Sequence, residues 1–298
     1  MFESAPNGHF VQDMIVYGGL QRGSHVAKGF FFEPPELTNA APVHLNEFQD
    51  QVSLLLASLH EHQRLQVQWF CDSDYRAELM RYREETERAT NVWTRRCRNE
   101  RFSRYWAAMS ERKLRRQRLV LYFSRYVATD PPPLQTCGAR RNYYELLLGQ
   151  LSSEFHQVHE LLLGIFLHAR VVPMRDADHY KDYTAFLNPS RAEQADSDPL
   201  QSFDPMLSIH ENCWHGEGVG LNGGGFVLDG YHHALLVLSR WPKVSFPGII
   251  HRLTDLPLLD YTISVNIDPL SARSEITREE KVHDRLPGDY ASEKRLRC

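Results

Sequence analysis

His210, Cys213 and His215 form an H-x-x-C-x-H pattern, with His232 and His233 downstream. Imidazole and thiolate are zinc donors, and three at this spacing can close on one ion. Structural zinc sites favour cleaner paired spacings, and a chain with 15 histidines makes chance clusters easily. His156 and His159 stand three apart with Glu160 beside them. That pattern suits a metal, but it suits a partly exposed helical face better. Glu84-Glu85 and Glu279-Glu280 lie in charged helical runs and read as solvated. The sequence reading therefore assigns no metal ligand.

Nucleotide chemistry is not expected either. No G-x-x-x-x-G-K-[ST] occurs, so the phosphate cradle of a P-loop nucleotidase is missing from the sequence. Gly216, Gly218 and Gly220 resemble the glycine spacing of nucleotide loops, but a hairpin pattern follows them where a helix is needed. G-x-S-x-G and H-E-x-x-H do not occur. The expectation is a protein that is not an enzyme, with no cofactor and no catalytic or cofactor-binding residue.

The strongest chemical signal is cationic. Residues 81–125 hold 14 Lys+Arg against 5 Asp+Glu, an excess of nine positive charges, although the chain as a whole carries −4. Thirteen of those cations are arginine, with Trp93, Phe102, Tyr105 and Trp106 interleaved. Arg98, Arg101, Arg104, Arg112 and Arg115 recur at helical steps and are the candidate partner-binding stripe. Phe102, Tyr105 and Met109 form a neighbouring stripe expected to face a sheet built by Leu65–Phe70 and Leu119–Phe123. Three readings follow. The helix packs on acid supplied by residues such as Asp176, Asp178 and Asp182, or on an acidic protein. It binds nucleic acid through Arg95, Arg96, Arg98, Arg101, Arg104 and Trp106. Or it lies on an anionic membrane surface.

Elements must position these groups. Apolar residues are 42% and charged residues 24% of 298, ordinary for a globular chain and wrong for a disordered, collagenous or purely coiled-coil one. No apolar run approaches the roughly 20 residues of a membrane span. The N-terminus lacks a basic and an apolar signal region. Five widely spaced cysteines read as free thiols, which places the protein in the cytoplasm.

Residues 14–32 read as a hairpin, with Pro34-Pro35 ending the second strand. Leu45–Leu59 has helical spacing, Leu65–Phe70 alternates, and one long helix is expected from Tyr75 to Lys113. Trp69 is expected in the core. Leu119–Phe123 is a strand. Pro131-Pro132-Pro133 is a loop, 142–169 is helical with a break near 149–153, and 173–205 reads as loops with short turns. Residues 216–225 read as a turn-rich loop. Residues 226–238 read as a second hairpin, 247–253 as a short helix, Tyr261–Ile267 as a strand, and the rest as a charged helix. Hairpin, helix, strand, Asp and helix thus occur twice. The expected fold class is α+β, two such units forming mixed sheets with long helices packed on them. The expected organisation is a first α+β unit over 1–130, a helical and loop insertion over 131–222, and a second α+β unit over 223–298.

Several runs resemble a known family. They are Arg64-Leu-Gln-Val-Gln-Trp69, Asp72-Ser-Asp-Tyr75, Tyr82-Arg-Glu-Glu-Thr86, Gly29-Phe-Phe-Phe-Glu-Pro-Pro35, Phe226-Val-Leu-Asp-Gly-Tyr-His232, Trp241-Pro242 and Phe246-Pro-Gly248. In this order they look like the N-terminal domain of conjugation and type IV secretion ATPases, the CagE/TrbE/VirB group with its TraC-like branch. The resemblance implies an oligomeric motor at the inner membrane whose ATP site lies in a C-terminal domain that does not occur in this sequence. It implies a non-catalytic docking and assembly module, cytoplasmic or peripheral at the inner membrane. Its partners would be other secretion or conjugation subunits, the ATPase domain, or copies of itself. The alternative is a stand-alone nucleic-acid-binding protein.

Overall fold

A computed structural model describes residues 8–18, 20, 23–36, 40–73, 75–111, 113–127, 137–188, 203–214, 220–222, 225–228, 230–236 and 260–269. The fold is α+β, with helices on an antiparallel sheet. The strands are β1 (Gly8–Val11), β2 (Met14–Tyr17), β3 (His25–Glu33), β4 (Gln63–Asp72), β5 (Arg116–Tyr126), β6 (Arg170–Pro173), β7 (Gly220–Asn222), β8 (Gly225–Leu228), β9 (Tyr231–His233) and β10 (Tyr261–Ile267). The helices are α1 (Pro42–Ala57), α2 (Arg76–Glu87), α3 (Val92–Ser110), α4 (Cys137–Ile165), α5 (Asp176–Leu187) and α6 (Ile209–Cys213).

The large sheet runs β1-β2-β3-β5-β4-β10, and β6 pairs with β3 beside β2. β7, β8 and β9 make a separate small sheet. Strands from the regions of the two expected hairpin–helix–strand–helix units share one sheet. β10, from the second, pairs along β4 of the first, Val265 opposite Val67. The second expected hairpin forms as β8–β9, and β7 adds a strand where only loop was expected.

Alternation along β3 and β5 gives both sheet faces apolar side chains. Phe30, Phe32, Leu121 and Phe123 point to one face, where α1 and α4 cover them. Leu151, Phe155, Val158, Leu162 and Ile165 of α4 recur at three- and four-residue steps and fill that core. α4 is continuous through 149–153, where a break was expected. Ala27, Val120 and Tyr122 point to the other face, with Met174, Tyr180 and Ile209 above them.

β1 escapes the sequence reading because its turn carries no glycine. Gln12 and Asp13 themselves adopt positive φ, 53° and 62°, the twist that a two-residue hairpin loop requires. α5 replaces the expected loops and short turns within 173–205. Asp178 holds its start by accepting the Arg175 N–H at 2.9 Å.

Trp69 is half-buried and is not in the main core cluster, contrary to expectation. The single helix expected from Tyr75 to Lys113 is two helices. Asn91 breaks it by capping α3, its Oδ1 accepting Trp93 N–H at 2.9 Å and Thr94 N–H at 3.2 Å. The short helix at 247–253, the Pro131–Pro133 loop and the charged helix after 269 lie outside the described residues. No helix among the described residues is long and apolar enough to cross a membrane.

Candidate functional site

α2 and α3 form an antiparallel pair that packs mainly on itself. At about 100° per residue, Phe102, Trp106 and Met109 occupy one narrow stripe of α3. Met109 is buried and Tyr75 N–H points at its Sδ, 3.4 Å away. Phe102 stacks on Trp106 with centroids 5.6 Å apart. The Arg83 guanidinium lies over Phe102 at 5.8 Å. Of the expected stripe, Phe102 and Met109 thus meet α2 and its N-cap rather than the sheet, and Tyr105 faces solvent. The sheet faces are already covered by α1, α4, α5 and α6.

Most of α3 is exposed, Trp106 included. Trp93 is 72% and Tyr105 45% exposed. Arg98, Arg101 and Arg104 do not form a straight stripe. A three-residue step falls about 60° short of a full turn, so the three sweep through about 120° of the helix surface. Arg98 lies over the Tyr82 ring at 5.7 Å. Arg101 and Arg104 are exposed and make no ion pair or hydrogen bond among the described residues. Arg115 sits just before β5, beside the Tyr261 phenol. Arg112 lies outside the described residues. On the opposite side, Val92, Arg95, Arg96, Asn99, Glu100 and Ser103 line an open depression of about 470 Å³.

Acid reaches the strand arginines first. Arg118 donates to Asp182 at 2.6 Å, Arg125 pairs with Glu154 at 2.8 Å, and Arg116 pairs with Asp72 at 3.1 Å and with Glu78. On α3 the only such pair among the described residues is Arg96–Glu100, at 3.6 Å and exposed. Surface pairs of that kind contribute little. The expected intramolecular neutralisation thus serves β5 and leaves α3 cationic. Chemically, α3 offers guanidinium forks for carboxylate or phosphate and flat rings for stacking.

A second polar group lies beneath α5, and from the sequence only Asp182 of it is a candidate, as a source of acid. Arg118 sits between the Phe31 and Phe70 rings, 5.7 and 4.8 Å from their centroids. Tyr17 and Tyr183 share a 2.5 Å hydroxyl hydrogen bond, and burial holds the Tyr183 phenol up at about 12. His179 is fully buried, and neither ring nitrogen meets a partner at hydrogen-bond geometry among the described residues. Burial, with the Lys28 charge second, lowers its pKa to about 3, so the ring is neutral. Tyr17, His179 and Asp182 are buried, and the group reads as framework. Helical spacing alone would not have found it, because its members come from β2, β3, β4, β5 and α5.

The His210–His233 cluster does not converge among the described residues. His210 stacks on Trp214 at 5.7 Å. Cys213 is buried, and burial pushes its thiol up to about 12, away from the thiolate a metal needs. His233 stacks on Phe226, and His215 lies outside the described residues. No protein-family model matches the chain, and no curated protein sequence matches it.

Proposed function

We propose that this chain is a non-catalytic docking and assembly module whose α2–α3 pair seats an acidic protein surface. The carrying observation is that Arg101 and Arg104 stand exposed and unpaired among the described residues while Asp182 and Glu154 engage strand arginines. Arginine, tryptophan and tyrosine are the residue types on which protein interfaces concentrate binding energy. Exposed Trp93 and Tyr105 supply the apolar part. The resemblance to transfer-ATPase N-terminal domains makes other transfer subunits the natural partners.

Nucleic acid is the second reading, favoured by the same rings, which can stack bases. Anisotropy separates the two. A labelled Asp/Glu-rich peptide and a labelled single-stranded oligonucleotide are titrated with wild type and with Arg101→Glu/Arg104→Glu. Docking predicts peptide binding that the double variant loses, with no saturable oligonucleotide binding at low salt. Tight oligonucleotide binding with a salt slope of about −0.7 per phosphate, lost in the double variant, would establish the second reading instead.

A further inference from the structure

We propose that His156, His159 and Glu160 on α4 form a solvent-open site for a late first-row divalent cation, zinc first. One donor atom from each lies within 4.8 Å of the others. The helix explains the convergence. Relative to His156, His159 sits about 60° to one side and Glu160 about 40° to the other, both one turn further on. Helical side chains lean toward the N-terminus, so both reach back toward His156.

Bonds of about 2.0–2.2 Å place tetrahedral donors roughly 3.3 Å apart. The present spacing closes by rotamer changes alone, because His156 and Glu160 are exposed and free to turn.

His159 is the fixed member. It is half-buried, stacked on Phe30 with centroids 5.9 Å apart and planes 14° from parallel. Its Nε2 lies 3.4 Å from the Val171 carbonyl. A carbonyl only accepts, so Nε2 carries the proton and Nδ1 keeps its lone pair. A histidine ligand held through its other nitrogen by a backbone carbonyl is the usual outer arrangement of a metal site. β6 supplies that carbonyl, an element remote in sequence from the His-x-x-His-Glu run. Two imidazoles and one carboxylate select zinc, nickel or copper over magnesium or calcium, which want oxygen alone. Three protein donors leave the remaining position to water or to a group from a partner.

The full chain is titrated with ZnCl₂ by calorimetry, alongside His156→Ala and Glu160→Gln. Both positions are exposed, so the fold persists, as circular dichroism will verify. Other histidines add weak background, so stoichiometry is the readout. Wild type is expected to take up one equivalent of zinc more than either variant, and MgCl₂ to give no matching heat. Equal zinc uptake by all three proteins, or no saturable uptake by wild type, would overturn the site. Equal competition by magnesium would show a bare carboxylate, and the proposal would fall.

Discussion

Asp13 and Asp176 cap one another across the fold. The Asp13 N–H donates to Asp176 Oδ1 at 2.9 Å, and the Asp176 N–H donates to Asp13 Oδ1 at 3.1 Å. One is a hairpin-turn residue in the left-handed region, and the other is the first residue of α5. The exchange satisfies an otherwise open helix-end donor. It also fixes α5, with His179 and Asp182, over the sheet.

The geometry brings two carboxylates together, and this has a pH signature. Burial first, and the Asp13 charge second, raise Asp176 to about 6 against an ordinary 3.8. A carboxyl whose folded pKa is raised contributes stability that is present at low pH and lost as pH rises through the folded value. His179 acts oppositely: held near 3, it favours the fold above its ordinary 6.5 and costs stability as pH falls. The two overlap, so the variant comparison isolates Asp176. Asp176→Asn keeps an oxygen acceptor for Asp13. The melting temperature of wild type relative to Asp176→Asn should rise as pH is lowered from 7 toward 4.5. Parallel curves across that range would show that Asp176 titrates normally.

Two glycines on neighbouring elements should respond to alanine with opposite signs. A Cβ on Gly29 of β3 would meet Met174 Sδ at 2.5 Å and His179 and Tyr122 ring carbons at 2.9 Å. All three are buried, so Gly29→Ala should cost about 1–3 kcal/mol by overpacking. Gly164 in α4 has nothing within 4 Å of such a Cβ among the described residues. There the gain is helix propensity, about 0.5–1 kcal/mol. Urea denaturation of both variants checks the pair, and a Gly29→Ala midpoint at or above wild type would mean that the α5 face is loosely packed.

Local pattern made the central strands and α1 legible, because Leu65–Phe70 alternates and Leu45–Leu59 repeats at helical steps. The turn at Gln12-Asp13 carries no glycine signal, so β1 was invisible. α5 was invisible because its buried face holds His179, Asp182 and Thr184 rather than aliphatic residues. The arginine-rich segment was legible as a cationic helix. Its break at Asn91 was missed because Arg and Glu dominate both flanks, although Asn91 itself is a helix-start residue, and its packing partner was missed because spacing identifies a stripe but not the surface it meets. His156, His159 and Glu160 were visible as a pattern, whereas the Val171 carbonyl that orients His159 arrives only through the pairing of β6 with β3.

The Arg118–Asp182 pair gives the last prediction. Asp182 is almost fully buried, and burial raises its pKa while Arg118 opposes the rise. Its Oδ1 accepts Arg118 at 2.6 Å, and its Oδ2 has no partner among the described residues. Arg118 is held in turn between Phe31 and Phe70, its own side chain about one-third exposed. Removing the arginine alone strands a buried carboxylate, which costs about 3–5 kcal/mol for a fully buried pair. Partial exposure of Arg118 puts the expected loss for Arg118→Leu near the lower end of that range. Removing both charges leaves no stranded group, and such replacements are often neutral. Arg118→Leu/Asp182→Leu should therefore be more stable than Arg118→Leu alone, with Asp182→Leu completing the double-mutant cycle. Denaturant midpoints for the four proteins decide it. A double variant weaker than Arg118→Leu would mean that the pair contributes packing and hydrogen bonding that hydrophobic side chains fail to replace.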